Sequence, residues 1–231
     1  MSRGIMSLCT SSRSAWHHDV LATEVPRTRD EIVLIGPPGA GKSTVARLLA
    51  ERLAVPRVCL DDVRWRYFYE SGYDPALADR LLAQAGFAAV YRHWRPYDAH
   101  AVQRALADHA HCVFDLGAGN SVFADELLFE EVRAAFAPFR HVILLVPSLD
   151  PDESIEVLRR RRPVEASWGV DLYDHFVRHP SNRELATHVV VTSNRSVEQT
   201  CDDLLRVTAT GACPGGGRAA TRGEAGGSEE T

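Results

Sequence analysis

Lysine is almost missing from this chain. Of 26 basic side chains, 25 are arginine and one is lysine, Lys42. Methionine is also scarce, with 2 in 231 residues. A coding bias toward alanine and arginine accounts for the shortage, but not for where the one lysine sits. The five cysteines (Cys9, Cys59, Cys112, Cys201, Cys213) form no C-x-x-C pair. That argues against a zinc site or a disulfide framework and suits a reducing, cytoplasmic compartment. No histidine metal site is expected. No apolar run approaches the ~20 residues of a membrane span, and no membrane role is expected. Basic residues are not in excess: 31 acidic side chains bring the net charge to -5, with no basic stripe. Nucleic acid is therefore not an expected partner.

Both ends read as dispensable. Residues 1–29 show no apolar periodicity and lack the apolar stretch of a secretory signal, so a flexible N-terminal arm is expected. Residues 209–231 are Gly-rich, hold 7 of the 16 glycines, and are expected to be a disordered tail. Between them, 30–208 is long enough for one domain with a real core.

Within that core, short apolar runs alternate with helical patterns. Strands are expected at 31–35, 57–60, 111–116, 141–147 and 188–192, by length and β-branched content. Helices are expected at 42–54, across 63–110 with a break near 71–75, and at 150–162 and 196–207. Asp150 and Glu153 suggest a capping box on the third of these. Strands joined by helical crossovers imply a five-stranded parallel sheet covered on both faces, a three-layer α/β fold. Such sheets bind ligands at the carboxyl ends of their strands.

The motifs fall at those ends. Gly36-Pro37-Pro38-Gly39-Ala40-Gly41-Lys42-Ser43-Thr44 follows the first strand, opens the first helix, and fits G-x-x-x-x-G-K-[ST]. Glycines let consecutive N–H groups turn inward, and the helix N-terminus adds positive charge, so phosphate oxygens are held. The lone lysine supplies a compact charge there that a planar guanidinium does not replace. ATP is the expected ligand, with Mg²⁺ on the Ser43 hydroxyl. Asp61 and Asp62 end the second strand, where a carboxylate can take a proton from an acceptor hydroxyl, or cap a helix. Asp115 ends the third strand and suits Mg²⁺ through water, or an Asx turn. Gly117-Ala118-Gly119 lets backbone approach a ligand. The run Arg159–Arg162 suits a lid over phosphates, or a solvated helix end. Aromatic residues crowd 63–95, for core packing or for a larger substrate pocket, and packing is the expected role.

In order and approximate spacing, these pieces resemble the shikimate kinase family of P-loop small-molecule kinases. The likeness runs from about residue 31 to 207. It implies ATP-dependent transfer of the γ-phosphate to a hydroxyl of a small, anionic metabolite by a monomeric enzyme. It implies that Asp62, rather than Asp61, is the base and holds the acceptor hydroxyl. Arg92 and Arg178 would grip a carboxylate, Gly117, Ala118 and Gly119 would line the ring, and Arg162 would be the lid arginine. The chain departs from the family in several places. Leu60 stands where an earlier aspartate is usual, Ala118 interrupts the glycine triplet, Arg95 replaces a glutamate three residues after Arg92, and Asn182 replaces a tyrosine. An antibiotic-modifying kinase resembling chloramphenicol phosphotransferase and a non-catalytic ATP-binding module are the competing expectations.

Overall fold

The computed structural model describes residues 26–161 and 171–209. The expected arm and tail fall outside this range apart from residues 26–29 and Ala209, and Arg162 also lies outside it.

Alternation along the central strand builds two layers at once. In β1 (Arg29–Ile35), Val33 and Ile35 face one side while Ile32 and Leu34 face the other. All four are at most 5 % exposed, because successive side chains point to opposite faces of a strand and both faces here are covered. β1 pairs in parallel with β3 (Val113–Asp115) and β4 (Phe139–Val146), which are flanked by β2 (Arg57–Cys59) and β5 (His188–Val191). The sheet has five strands in the order β2-β3-β1-β4-β5, all parallel, as the alternation of strands and helices implied.

One face is covered by α1 (Lys42–Leu53) and α9 (Val197–Ala209), through Val45, Leu49, Cys201 and Leu204. The opposite face packs against α2 (Leu60–Glu70), α3 (Pro75–Ala85), α4 (Phe87–Asp108) and α5 (Glu126–Phe136), with Phe68, Val102, Phe136 and Phe114 in one cluster. Then α6 (Pro151–Arg161), α7 (Leu172–Arg178) and the short α8 (Ser181–Leu185) complete the domain. Among the described residues no helix is long and apolar enough to cross a membrane.

Local chemistry sets the helix starts. Asp74 caps α3 by accepting from the Ala76 amide at 2.9 Å, with Pro75 at the first helical position, where its missing N–H costs nothing. Asp125 caps α5 through the Leu128 amide at 3.0 Å. Asp150 accepts from the Glu153 amide at 2.9 Å, but the capping box is only half made. The Glu153 carboxylate takes the Ser148 hydroxyl at 2.6 Å instead of turning back to the Asp150 amide. The helix after β2 starts at Leu60, three residues earlier than the pattern suggested, so both aspartates lie in its first turn.

Candidate active site

The loop after β1 is shaped by glycine conformations. Gly36, Gly39 and Gly41 have φ of 135°, 79° and 97°, in the region that side-chain-bearing residues avoid. At Gly36 space is also lacking, since a Cβ would stand 2.4 Å from the carbonyl oxygen of Leu145 on β4. Gly41 precedes α1, whose first turn has no side-chain cap, so its amides remain available to a ligand. The Lys42 ammonium is buried and donates to the carbonyls of Gly36 at 2.8 Å and Pro37 at 3.0 Å. Burial lowers its pKa to about 8, with the nearby charges of Asp115 and Asp61 pulling the other way.

Asp115, at the end of β3, is 2 % exposed, and its Oδ2 has no hydrogen-bond partner among the described residues. Arg57 provides only an ion pair to it, with Nη1 at 3.7 Å. A buried, unbonded carboxylate oxygen close enough to the phosphate-loop lysine to act on its charge is chemically suited to a hydrated divalent cation. The Ser43 hydroxyl, beside that lysine, adds a second oxygen donor of the right hardness.

The two aspartates of α2 part company. Asp62 keeps 72 % of its side chain exposed and pairs with Arg57 at 3.5 Å. Asp61 turns toward the glycine turn, where its Oδ1 lies 2.5 Å from the point a Cβ on Gly117 would occupy. Residues Ala118–Ser121 form a 3-10 turn there. Asp61, Gly117, Ala118, Gly119 and Asn120 line a cavity of about 160 Å³, closed by Arg64, Arg95 and Asp98 and walled by Phe87, Tyr91, Trp94 and Phe176. The aromatic stretch thus serves both roles weighed for it. Tyr67 and Phe68 are fully buried in the core, while Trp94 and Phe87 reach this cavity.

Arg95 is committed to structure. It donates to the carbonyls of Gly119 and Val122, both at 2.7 Å, and to Asp98 at 2.8 Å, with its plane over Phe123. These bonds fasten α4 to the glycine turn. Asp98 is 3 % exposed; burial pushes its pKa up to about 6 against the opposing pull of Arg95 and Arg64.

The structure therefore brings Lys42, Asp61, Asp115 and Gly117–Gly119 to one edge of the sheet and leaves other expected residues aside. Arg92 is exposed and lines a neighbouring cavity of about 420 Å³ with Arg95, Phe123 and His175. Arg178 is exposed and pairs with Asp174 at 2.7 Å and with Asp152. Asn182 is buried, accepting from the Ser121 hydroxyl at 2.7 Å and donating to the Phe176 carbonyl at 2.9 Å, so it ties α8 to the glycine turn. In the arginine run, Arg159 pairs with Asp171, Arg160 pairs with Glu156, and Arg161 approaches the Gly39 carbonyl of the phosphate loop at 3.5 Å. The sequence alone does not point to Arg57, Arg64 or Asp98, and it marks Arg95 only as a departure from the family. The one available signal was an arginine followed by an acid three residues on, at Arg95 and Asp98 rather than at Arg92.

Residues 32–166 match the family model described as an AAA domain. The shikimate kinase of Saccharopolyspora erythraea is 33% identical over 183 residues, spanning 77% of this chain and 93% of that protein. The shikimate kinase of Streptomyces coelicolor is 34% identical over 176 residues, spanning 73% and 89%. In fold, the chain is similar to the shikimate kinase from Acinetobacter baumannii solved in complex with shikimate. The TM-score is 0.53 at 21% identity, over 80% of this chain and 95% of that one.

Proposed function

The chain belongs to the shikimate kinase-like family of P-loop small-molecule kinases, and from that premise we propose that it phosphorylates a hydroxyl of shikimate or a shikimate-like ring metabolite. The observation that carries the reading is the Asp61 carboxylate, packed against Gly117 in a small cavity and near enough to Lys42 to influence its charge.

In this reading Lys42 leaves the Gly36 and Pro37 carbonyls for the phosphate oxygens of ATP, joined by the free amides of the loop and α1. Ser43 and Asp115 hold Mg²⁺, which when bound neutralises phosphate charge. Asp61, not Asp62, takes the proton of the acceptor hydroxyl as its oxygen bonds to the γ-phosphorus and the bond to the ADP oxygen breaks. Gly117, Ala118 and Gly119 present backbone to the ring. Arg161 of the arginine run supplies positive charge over the loop. The Arg92 side chain, one cavity away, is available to an acidic group that extends past Tyr91.

Aromatic walls favour a second acceptor class, an aryl-bearing antibiotic. One assay separates the two: transfer of labelled γ-phosphate from ATP to a panel holding shikimate, gluconate, aminocyclitols and chloramphenicol. Ester formation on shikimate or a related ring acid is the expected result. ATP binding with no ester on any member of the panel overturns the reading.

A further inference from the structure

Asp98 holds a carboxylate oxygen that no described residue engages in a hydrogen bond. Its Oδ2 accepts from Arg95, but the buried Oδ1 has no hydrogen-bond partner among the described residues. The guanidinium opposite is Arg64, whose Nη1 stands 3.8 Å away, beyond hydrogen-bond reach. A buried carboxylate oxygen left in this state is costly, and such groups are rare in folded proteins. The faces of Arg64 are covered by Trp65, Phe68 and Trp94, with ring centres 4.6, 5.1 and 5.2 Å from its central carbon. The edge of the guanidinium is what remains for a ligand. Both residues line the same 160 Å³ cavity as Asp61.

A donor and an acceptor set 3.8 Å apart select among ligand groups. A carboxylate satisfies Arg64 but sets a negative charge against Asp98, in a cavity that already holds Asp61. An ammonium satisfies Asp98 but faces Arg64. A hydroxyl accepts from one and donates to the other with a single oxygen and adds no charge. Resting on the acceptor-pocket reading above, we infer that Arg64 and Asp98 form a hydroxyl-reading notch that fixes a second hydroxyl of the acceptor. The substrate class is accordingly a ring diol or polyol, and any carboxylate it carries lies outside this notch. Arg64 and Asp98 are specificity residues, distinct from the proposed base and from the phosphate loop.

The test is ligand-detected NMR on the full chain at pH 8, with and without a non-hydrolysable ATP analogue. Three probes are used: cis-1,2-cyclohexanediol, cyclohexanol and cyclohexanecarboxylate. The diol is expected to bind best, and to bind at least about tenfold more weakly to Arg64→Gln and to Asp98→Asn, each of which removes a charged hydrogen-bond partner. Arg64→Gln keeps the Asp98–Arg95 pair, so it decides the matter if Asp98→Asn proves unstable. Preferred binding of the carboxylate, or diol binding that survives Arg64→Gln, overturns the notch. So does the absence of any diol contact. Because the diol arm is also run without nucleotide, it stands apart from the phosphotransfer reading, whose own failure shows as an ATP analogue that does not bind.

Discussion

Asp61 and Gly117 occupy one another's space: the carboxylate Oδ1 lies 2.5 Å from where a Cβ on residue 117 would be, and the Asn120 side-chain oxygen lies 2.6 Å from the same point. A methyl group there must displace both side chains. Gly117→Ala is therefore expected to lower turnover at least about tenfold if Asp61 is the base. ATP affinity should stay unchanged, because the phosphate loop is not touched. Steady-state kinetics with a nucleotide-binding titration checks this; a loss of ATP affinity equal to the loss of turnover would contradict it.

The neighbouring aspartates offer a sharper comparison. Asp61→Asn should cut kcat by about 10²–10⁴, the range of a general base, with ATP binding intact. Asp62 is mostly exposed and, among the described residues, pairs with Arg57 alone, so Asp62→Asn should leave kcat within about twofold. The opposite ranking would return the role to Asp62.

Asp115 and its unbonded oxygen bear on the metal. Asp115→Asn should raise the Mg²⁺ concentration for half-maximal turnover at least about tenfold, since a charged ligand of a hard cation becomes neutral. A Mg²⁺ titration at saturating ATP measures it, and an unmoved midpoint would remove Asp115 from the metal site.

Lys42 carries a pH signature. Burial lowers its pKa to about 8 from 10.5, so between those values the folded chain binds fewer protons than the unfolded one. The cost of keeping Lys42 charged is therefore fully present below pH 8, and stability from this group rises with pH up to 10.5. Phosphate oxygens favour the ammonium and reverse the shift, so ATP binding should take up a proton. Uptake should be about half a proton at pH 8, growing toward one as pH rises. Calorimetry in buffers of different ionisation enthalpy reads it directly, and Lys42→Met should abolish it.

The surface pairs of Arg178 predict a quiet variant. Arg178→Ala exchanges two exposed ion pairs for solvent and should leave turnover within about twofold. A large rise in KM for the acceptor would restore it as a carboxylate ligand.

What could be read from the residues alone was what backbone dictates. The phosphate loop needs glycines, a helix start and a lysine at set intervals, and each is visible one residue at a time. The parallel sheet showed in its apolar runs. Facing directions were harder. Asp61 and Asp62 differ by one residue on a helix and so point about 100° apart. Which one faces the glycine turn depends on α2 starting at Leu60 rather than at Val63. Arg92 and Arg95 sit three residues apart on α4, and only the position of the glycine turn decides that Arg95 is the inward one. The helix α5 went unread, although Asp125 supplied its cap. Asn182 looked like a lost ligand, yet it is a buried tie between α8 and the glycine turn, a role that exists only once the two have met.

Lys42 rests on the Gly36 and Pro37 carbonyls, so the phosphate loop keeps its shape by occupying itself. An arriving ligand must evict that internal guest, and this sets a threshold. A triphosphate replaces both carbonyls and engages the free amides as well. The same two bonds that steady the loop thus set what an entering phosphate chain has to outweigh.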